Sequence, residues 1–257
     1  MIPVERHERI LALVAERGVV SIVELAKGMG VSHMTIRRDV RELEKQGNLL
    51  LVSGGVRSVR FTERLTAEPS HLVKTLMSSS EKNLIGIAAS RHIPPDSCIY
   101  LDAGTTTLAL ARQLVGRDDL LIVTNDFAIA NLLIDESRCR MIHTGGSLCR
   151  ENRSCVGEAA AHALRNLSVD IAFISASSWN SRGLFTPNED KVAVKRAATD
   201  ISGKRVLLSD SSKYDTIATY MAMPISVFDV VVTDPNLPAA AQSELNKKGI
   251  ELVIAGG

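Results

Sequence analysis

The sequence predicts an α/β chain in two parts: a small N-terminal unit of three short helices closed by a β-hairpin, then a larger C-terminal unit with a mainly parallel sheet. Three observations carry that prediction. Apolar residues recur at helical spacing in short runs before residue 47, as Ile36, Val40 and Leu43 do at i, i+4 and i+7. The segment "NLLLVSGGVRS" alternates apolar residues around a Gly-Gly pair, the pattern of a hairpin. Beyond residue 80, apolar strand-like runs alternate with helical ones, which implies parallel strands covered on both faces.

The first helix is expected from Pro3, with Ile10, Leu11 and Val14 on one face and Gly18 ending it. Ser21 and Glu24 form an SxxE capping box for a second helix that runs to about Lys27. "GMGVS" is a turn, Ser32 caps a third helix, and Gly47 ends it. With its apolar stripe turned inward, the third helix must present His33, Thr35, Arg37, Arg38 and Arg41 elsewhere. Two short helices joined by a tight turn, the second leading with polar and cationic side chains, match a helix-turn-helix that enters the major groove. Arginine bonds a guanine edge or clamps a phosphate, and Ser and Thr hydroxyls suit phosphate oxygens. The hairpin that follows makes the unit a winged helix-turn-helix. The competing reading is a solvated helix face on which Asp39, Glu42 and Glu44 balance the cations. Charge does not decide between them, because residues 1 to 58 hold 9 Lys+Arg and 7 Asp+Glu, a difference of 9 − 7 = +2.

The whole chain of 257 residues carries 30 Lys+Arg against 29 Asp+Glu, so any binding of a polyanion must rest on a local patch. The expected domains are residues 1–57, a linker over 58–80 that holds Pro69 and a serine run, and residues 81–257. No apolar run reaches the roughly 18 residues of a membrane span. The start "MIPVERHERI" lacks the apolar core of a secretion signal, and a cytoplasmic protein is expected. Cys98, Cys139, Cys149 and Cys155 form no CxxC pair and the six histidines no spaced ligand set, so reduced thiols and no metal are expected.

In the second part, "SCIYLD", "LLIVTN", "RCRMIHTGG", "DIAFISAS", "RVLLSD" and "VVVTD" read as strands, each ending in a polar motif. The carboxyl ends of parallel strands line the crevice of an open α/β sheet, which makes those motifs candidate ligand groups. In "LDAGTTTLA" the glycine permits a tight turn, and Thr105 and Thr106 sit where a helix N-terminus offers amides and hydroxyls to an anion. Helix capping alone accounts for the same residues. Lys213, after Asp210 and Ser212, adds a cation. There is no GxGxxG, GxxxxGK[ST] or GxSxG, so no dinucleotide, nucleoside triphosphate or other cofactor is expected.

The stretch from "ERHERILALVAERG" through "VSHMTIRRDVRELEKQGNLLLVSGGV" resembles the N-terminal domain of DeoR-family bacterial transcription regulators, with "TIRRD…LE" as the signature. The family's wing commonly carries an Arg and a His before the Gly-Gly, where this chain has Leu51 and Ser53; the resemblance then leaves Arg57 as the wing's cation. "LDAGTTT", "VTND", "HTGG" followed by Arg150, "VGEAA", Asp170, "VKRA", "DSSK" and "TD" resemble the same family's C-terminal sensor domain. That domain is similar in fold to ribose-phosphate isomerases and CoA transferases, and the resemblance implies a phosphorylated sugar or related sugar metabolite as ligand. Mapped by motif, the anion rests on Gly104, Thr105 and Thr106, with Asp102, Asn125 and Lys213 at the border and Arg150 and Lys195 as further candidates. The chain departs from the family at "FISASSWNSRG", where a Gly-rich turn is usual; Ser175, Ser177 and Trp179 either select the sugar or form a surface loop with one packed Trp. "HTGGSLCRENRSCVGEAA" and "ASSW" resemble a branch associated with acid-sugar catabolism.

The expected function is a ligand-controlled transcription factor, a repressor of a carbohydrate or acid-sugar catabolic operon, with no catalytic residues. It binds a double-stranded DNA operator through Ser32, His33, Thr35, Arg37, Arg38 and Arg41 and assembles as a homo-oligomer, a dimer or tetramer. A sugar phosphate or sugar acid is the effector, and no membrane is involved. The alternative is an enzyme like a sugar-phosphate isomerase or acyl transferase with an accessory helical domain. Against it, Glu158, Glu189 and Asp190 are available carboxylates outside any proton-transfer motif.

Overall fold

The computed structural model describes residues 2–17, 19–45, 49–52, 54–58, 64–65, 71–76 and 78–256, and the chain divides into two units, Met1–Glu63 and Arg64–Gly257. In the first, α1 (Pro3–Arg17) is followed by β1 (Val19–Ser21), α2 (Ile22–Met29), α3 (His33–Lys45), β2 (Leu49–Val52) and β3 (Gly55–Ser58). The three strands form an antiparallel sheet in the order β1-β3-β2. Ile10, Val14, Leu25, Ile36, Val40, Leu43 and Leu49 are buried together, which is the inward stripe that the periodicity predicts. The Ser21 hydroxyl accepts from the Glu24 amide at 3.1 Å and starts α2. That helix continues to Met29 rather than stopping near Lys27, because Gly30 adopts the left-handed conformation (φ 64°) and returns its amide to the Ala26 carbonyl. Gly18 and Gly47, the expected helix ends, lie outside the described residues.

The second unit opens with β4 (Arg64–Leu65), α4 (His71–Leu76) and α5 (Ser79–Ser90). It continues with β5 (Cys98–Leu101), α6 (Thr105–Gln113), β6 (Leu121–Thr124), α7 (Phe127–Glu136) and β7 (Arg140–His143). Next come β8 (Ser147–Cys149), β9 (Ser154–Val156), α8 (Gly157–Arg165), β10 (Val169–Ser175), β11 (Ser178–Asn180), β12 (Gly183–Thr186) and α9 (Asp190–Asp200). It closes with β13 (Ser202–Leu208), β14 (Ile217–Ala218), β15 (Tyr220–Pro224), β16 (Val230–Thr233), α10 (Ala239–Lys247) and β17 (Glu251–Ile254). Seven strands make one parallel sheet in the order β17-β16-β13-β10-β5-β6-β7. Alternate residues of its strands feed two cores. Tyr100, Ala172, Ile174 and Leu207 pack toward α8 and α9 through Leu164, Val194 and Ala198. Ile99, Leu101, Phe173 and Leu208 pack with Ile85, Leu110 and Ile129 of α5, α6 and α7. Both faces are covered, as near-continuous apolar strands require.

Parts of the stretch expected as a linker, residues 58–80, form regular structure. Ser58 closes β3, β4 pairs in parallel with β14, and the His71 amide donates to the Glu151 carbonyl at 2.8 Å, so backbone hydrogen bonds build parts of that stretch into the two units. Residues 59–63 and 66–70 lie outside the described ones.

Candidate nucleic-acid interface and anion pocket

Ser32, His33, Arg37, Arg38 and Arg41 are exposed at or along α3, and Thr35 is half-buried. Ser32 accepts from the Thr35 amide at 3.1 Å and its oxygen lies 2.9 Å from the Thr35 hydroxyl, so this pair fixes the leading end of the helix. Thr35, Arg37, Arg38, Arg41 and Lys45 share an open groove with Met34 and Glu42. The acids expected to balance these cations are mostly withdrawn. Asp39 is 3% exposed and receives the Arg6 guanidinium through Nε and Nη2, the latter at 2.9 Å, with His7 Nε2 at 3.3 Å. Burial pushes the Asp39 carboxyl up, but the Arg6 and His7 contacts outweigh it and hold the group below its ordinary value. Glu44 accepts from the Leu51 amide at 2.9 Å and so fastens β2 to α3. The solvated-face reading therefore fails for two of its three acids. In the wing Leu51 and Val52 are exposed; Ser53 and the Arg57 side chain are outside the described residues.

The pocket of the second unit lies where the strand order reverses, between β5 and β10, the point at which an open α/β sheet leaves a crevice. Asp102 follows β5 and Ser175 ends β10, and Asp102 Oδ2 accepts from the Ser175 amide at 3.0 Å and hydroxyl at 2.9 Å. Lys195 Nζ donates to the same oxygen and to the Ser175 carbonyl at 2.7 Å. Gly104 is required for a reason other than a tight turn. Its backbone is extended, but a Cβ there would lie 2.8 Å from Ser175 Cβ. Its amide donates to Asp126 Oδ2 at 3.1 Å, while Oδ1 caps α7 through the amides of Ala128 (2.6 Å) and Ile129 (3.0 Å). Burial raises the Asp126 carboxyl to about 6 against the pull of those amides.

The Gly104 amide, expected among the donors to an anion, is therefore already engaged by Asp126. Thr107 donates its hydroxyl to the carbonyls of Asp102 (2.6 Å) and Gly104 (2.8 Å). Thr106 is different: its hydroxyl is buried in the pocket wall with no hydrogen-bond partner among the described residues. Buried polar groups are as a rule hydrogen-bonded, which makes this hydroxyl a candidate ligand contact. Asn125 lines the pocket with its side chain already used, accepting from Tyr100 at 2.9 Å and donating to the Cys155 carbonyl at 2.8 Å.

Asp102, Gly104, Thr105, Thr106, Asn125, Lys195 and Lys213 all line this pocket. Arg150 does not; it is exposed in the turn after β8. Ser175 and Ser177 line the wall, whereas Trp179 is fully buried edge-on to Tyr214, 4.9 Å between ring centroids, outside the lining. Residues that sequence reasoning missed are Lys74, Asn152, Ser154 and Lys191. Lys74 falls within the stretch expected as a linker, and Asn152 lies two residues after the more conspicuous cation Arg150. Four lysines, Lys74, Lys191, Lys195 and Lys213, face one lining carboxylate, Asp102. Lys213 lies 3.2 Å from Asp210, whose carboxyl burial raises and whose Lys213, Ser212 and Lys82 contacts bring to a net depression. The excess positive charge suits a small anion carrying hydroxyl groups. Among the described residues no three His, Cys, Asp or Glu side chains form a metal site, and no helix is long and apolar enough to cross a membrane.

Comparison with known proteins follows the same division. A model of the DeoR-like helix-turn-helix domain matches residues 6–62, and one of the DeoR C terminal sensor domain matches residues 77–235. The chain is 56% identical over 255 residues to the HTH-type transcriptional regulator YgbI of Escherichia coli (strain K12), covering 99% of each. It is 32% identical to the glycerol-3-phosphate regulon repressor of the same strain, covering 97% of this chain and 98% of that one. It is 30% identical to a putative aga operon transcriptional repressor of Escherichia coli O157:H7, with coverages of 98% and 94%. A D-ribose-5-phosphate isomerase in complex with phospho-erythronic acid superposes with a TM-score of 0.41 at 16% identity, over 53% of this chain and 54% of that one, too little to carry an argument. The near-full-length relatives are regulators, which sets the enzyme alternative aside. The matches over both units and the near-full-length relatives lead to one conclusion: the chain belongs to the DeoR family of helix-turn-helix transcriptional regulators.

Proposed function

We propose that the protein represses a carbohydrate or acid-sugar catabolic operon and releases it when a sugar phosphate or sugar acid enters the pocket at the β5–β10 switch point. The relatives named for the glycerol-3-phosphate and aga systems are repressors by name, which supports the sign of regulation. In this reading Arg37, Arg38 and Arg41 contact base edges or phosphates, with Ser32, His33 and Thr35 setting the approach of α3. Residues 1–57 serve DNA binding, and residues 81–257, joined by Lys74 at the pocket, hold the effector and the oligomer contacts. One such helix buries too little surface for operator affinity, so the working form is a cytoplasmic dimer or tetramer spanning two half-sites.

One observation carries the effector assignment: the buried, unpartnered Thr106 hydroxyl sits in a wall shared with Lys74, Lys191 and Lys213. The anion accepts from that hydroxyl and from the first amides of α6, with the lysines supplying charge. The sugar's hydroxyls meet Asn152, Ser154 and Ser177. A thermal-shift screen of sugar phosphates and sugar acids tests this. One class is expected to raise the unfolding temperature of the wild type and to leave Thr106→Val unmoved. Equal shifts in both proteins would place the ligand elsewhere.

A further inference from the structure

Two stretches that follow the first unit in the chain, β4 and α4, are fastened to residues that wall the pocket. Lys74 of α4 lines the pocket, and its Nζ donates to Asn152 Oδ1 at 2.7 Å. Its carbonyl accepts from Lys82 Nζ at 2.6 Å, an ammonium on α5 that is only 4% exposed. The His71 amide donates to the Glu151 carbonyl, so the start of α4 is held by the residue next to Asn152. On another wall the Lys213 carbonyl accepts from the Thr216 hydroxyl at 2.9 Å, and the next two residues, Ile217 and Ala218, pair with Arg64 and Leu65. Both fastenings of the connecting segment therefore run back to a pocket lysine.

Burial and then the charge of Lys213 lower the Lys82 ammonium to about 8, with Lys74 contributing in the same direction. An anion settling between Lys74 and Lys213 relieves this mutual repulsion, and it does so fully only when α4 is seated. A ligand with that preference shifts the segment toward its seated state. We propose that α4 reports effector binding: an anionic group held in part by Lys74 locks α4 and β4 onto the sensor unit and so fixes the segment through which the DNA-binding unit is attached. This rests on the pocket being the effector site.

Hydrogen exchange of the full-length protein, with inorganic phosphate as probe, tests it. Calorimetry first sets the phosphate affinity of each protein, and exchange is compared at 100 times each Kd, where linkage allows up to about 100-fold slowing of any opening that dismantles the site. In the wild type the α4 amides are expected to slow at least about ten-fold. Lys74→Met is expected to bind phosphate roughly ten-fold more weakly and, at matched saturation, to slow less than about two-fold. Thr106→Val should neither bind nor slow. Phosphate binding to the wild type without slowing of α4, or equal slowing in Lys74→Met, overturns the reporter role and leaves the pocket standing. Failure of phosphate to bind the wild type overturns the pocket and this proposal with it.

Discussion

Lys195 reaches the carboxylate of Asp102, 93 residues earlier in the chain, inside a wall where the two residues are 4% and 2% exposed. Ser175 completes the arrangement, giving its amide and hydroxyl to Asp102 and its carbonyl to Lys195. Both charges are matched and bonded, which is what makes such burial tolerable. The pair joins β5, β10 and α9 and sets the crevice between them.

Asp102→Asn should leave the Lys195 ammonium buried without its counter-charge. A loss of about 3–5 kcal/mol is expected, or about 6–20 °C in Tm for a unit of this size. Adding Lys195→Met to the same chain should recover part of that loss. A single variant melting within about 2 °C of the wild type contradicts the pairing.

In the first unit Asp39 plays a similar part, tying α3 to Arg6 of α1. Asp39→Ala should abolish operator binding by releasing α3 while the sensor unit stays folded, seen as loss of the first unit's cooperative melt alone. Because the folded carboxyl titrates below its unfolded value, the stabilisation is complete above about pH 5 and is lost as the pH falls through the folded value. The variant should lack that acid-side decline, and an identical decline in both proteins counts against it.

Asp126 has the opposite sign. Its carboxyl is raised to about 6 when folded, so between about pH 4 and 6 the folded chain holds a proton that the unfolded chain has lost. Its contribution therefore falls as the pH rises through that window and stays lost above it. Relative to Asp126→Asn, the wild type should gain about 2 kcal/mol on going from pH 7 to pH 4 in denaturant titrations. A pH-independent difference refutes the assignment. The Asn variant also sets an amide NH₂ against the Gly104 amide, so phosphate binding should weaken.

How much of this was legible in the sequence depended on the distance over which each signal acts. Ser21, Ser32 and the i, i+4, i+7 stripe of α3 are local signals, and the first unit follows them closely. The parallel strands are equally plain, because strands buried on both faces are apolar throughout. The small antiparallel sheet β11-β12-β15 escaped notice because "SWN" and "GLFT" are too short for alternation to register. Long-range pairs left no trace: Asp39 read as a surface acid and Lys74 as part of a linker. In "VTND" the motif marks Asn125, although the neighbouring Asp126 organises both Gly104 and the start of α7. At Gly104 a tight turn is the wrong reason for the glycine, since the need arises from Ser175, 71 positions later in the chain.

At the proposed DNA face, Arg38→Ala should weaken operator binding by about 1–3 kcal/mol, roughly five- to 150-fold. If Arg38 holds a phosphate, the slope of log affinity against log salt should also fall by about one. Unchanged affinity and slope would remove Arg38 from the interface.

The proposed switch couples a groove-reading α3 to an anion pocket within one chain. Fluorescence anisotropy of a fragment of the protein's own promoter, titrated with full-length protein at low and physiological salt, with and without the stabilising sugar phosphate or sugar acid, measures it directly. Tight binding that weakens with salt and with the ligand in the wild type, but only with salt in Thr106→Val, is the predicted result. Binding that ignores the ligand at every salt concentration, or no binding to the fragment at all, contradicts it.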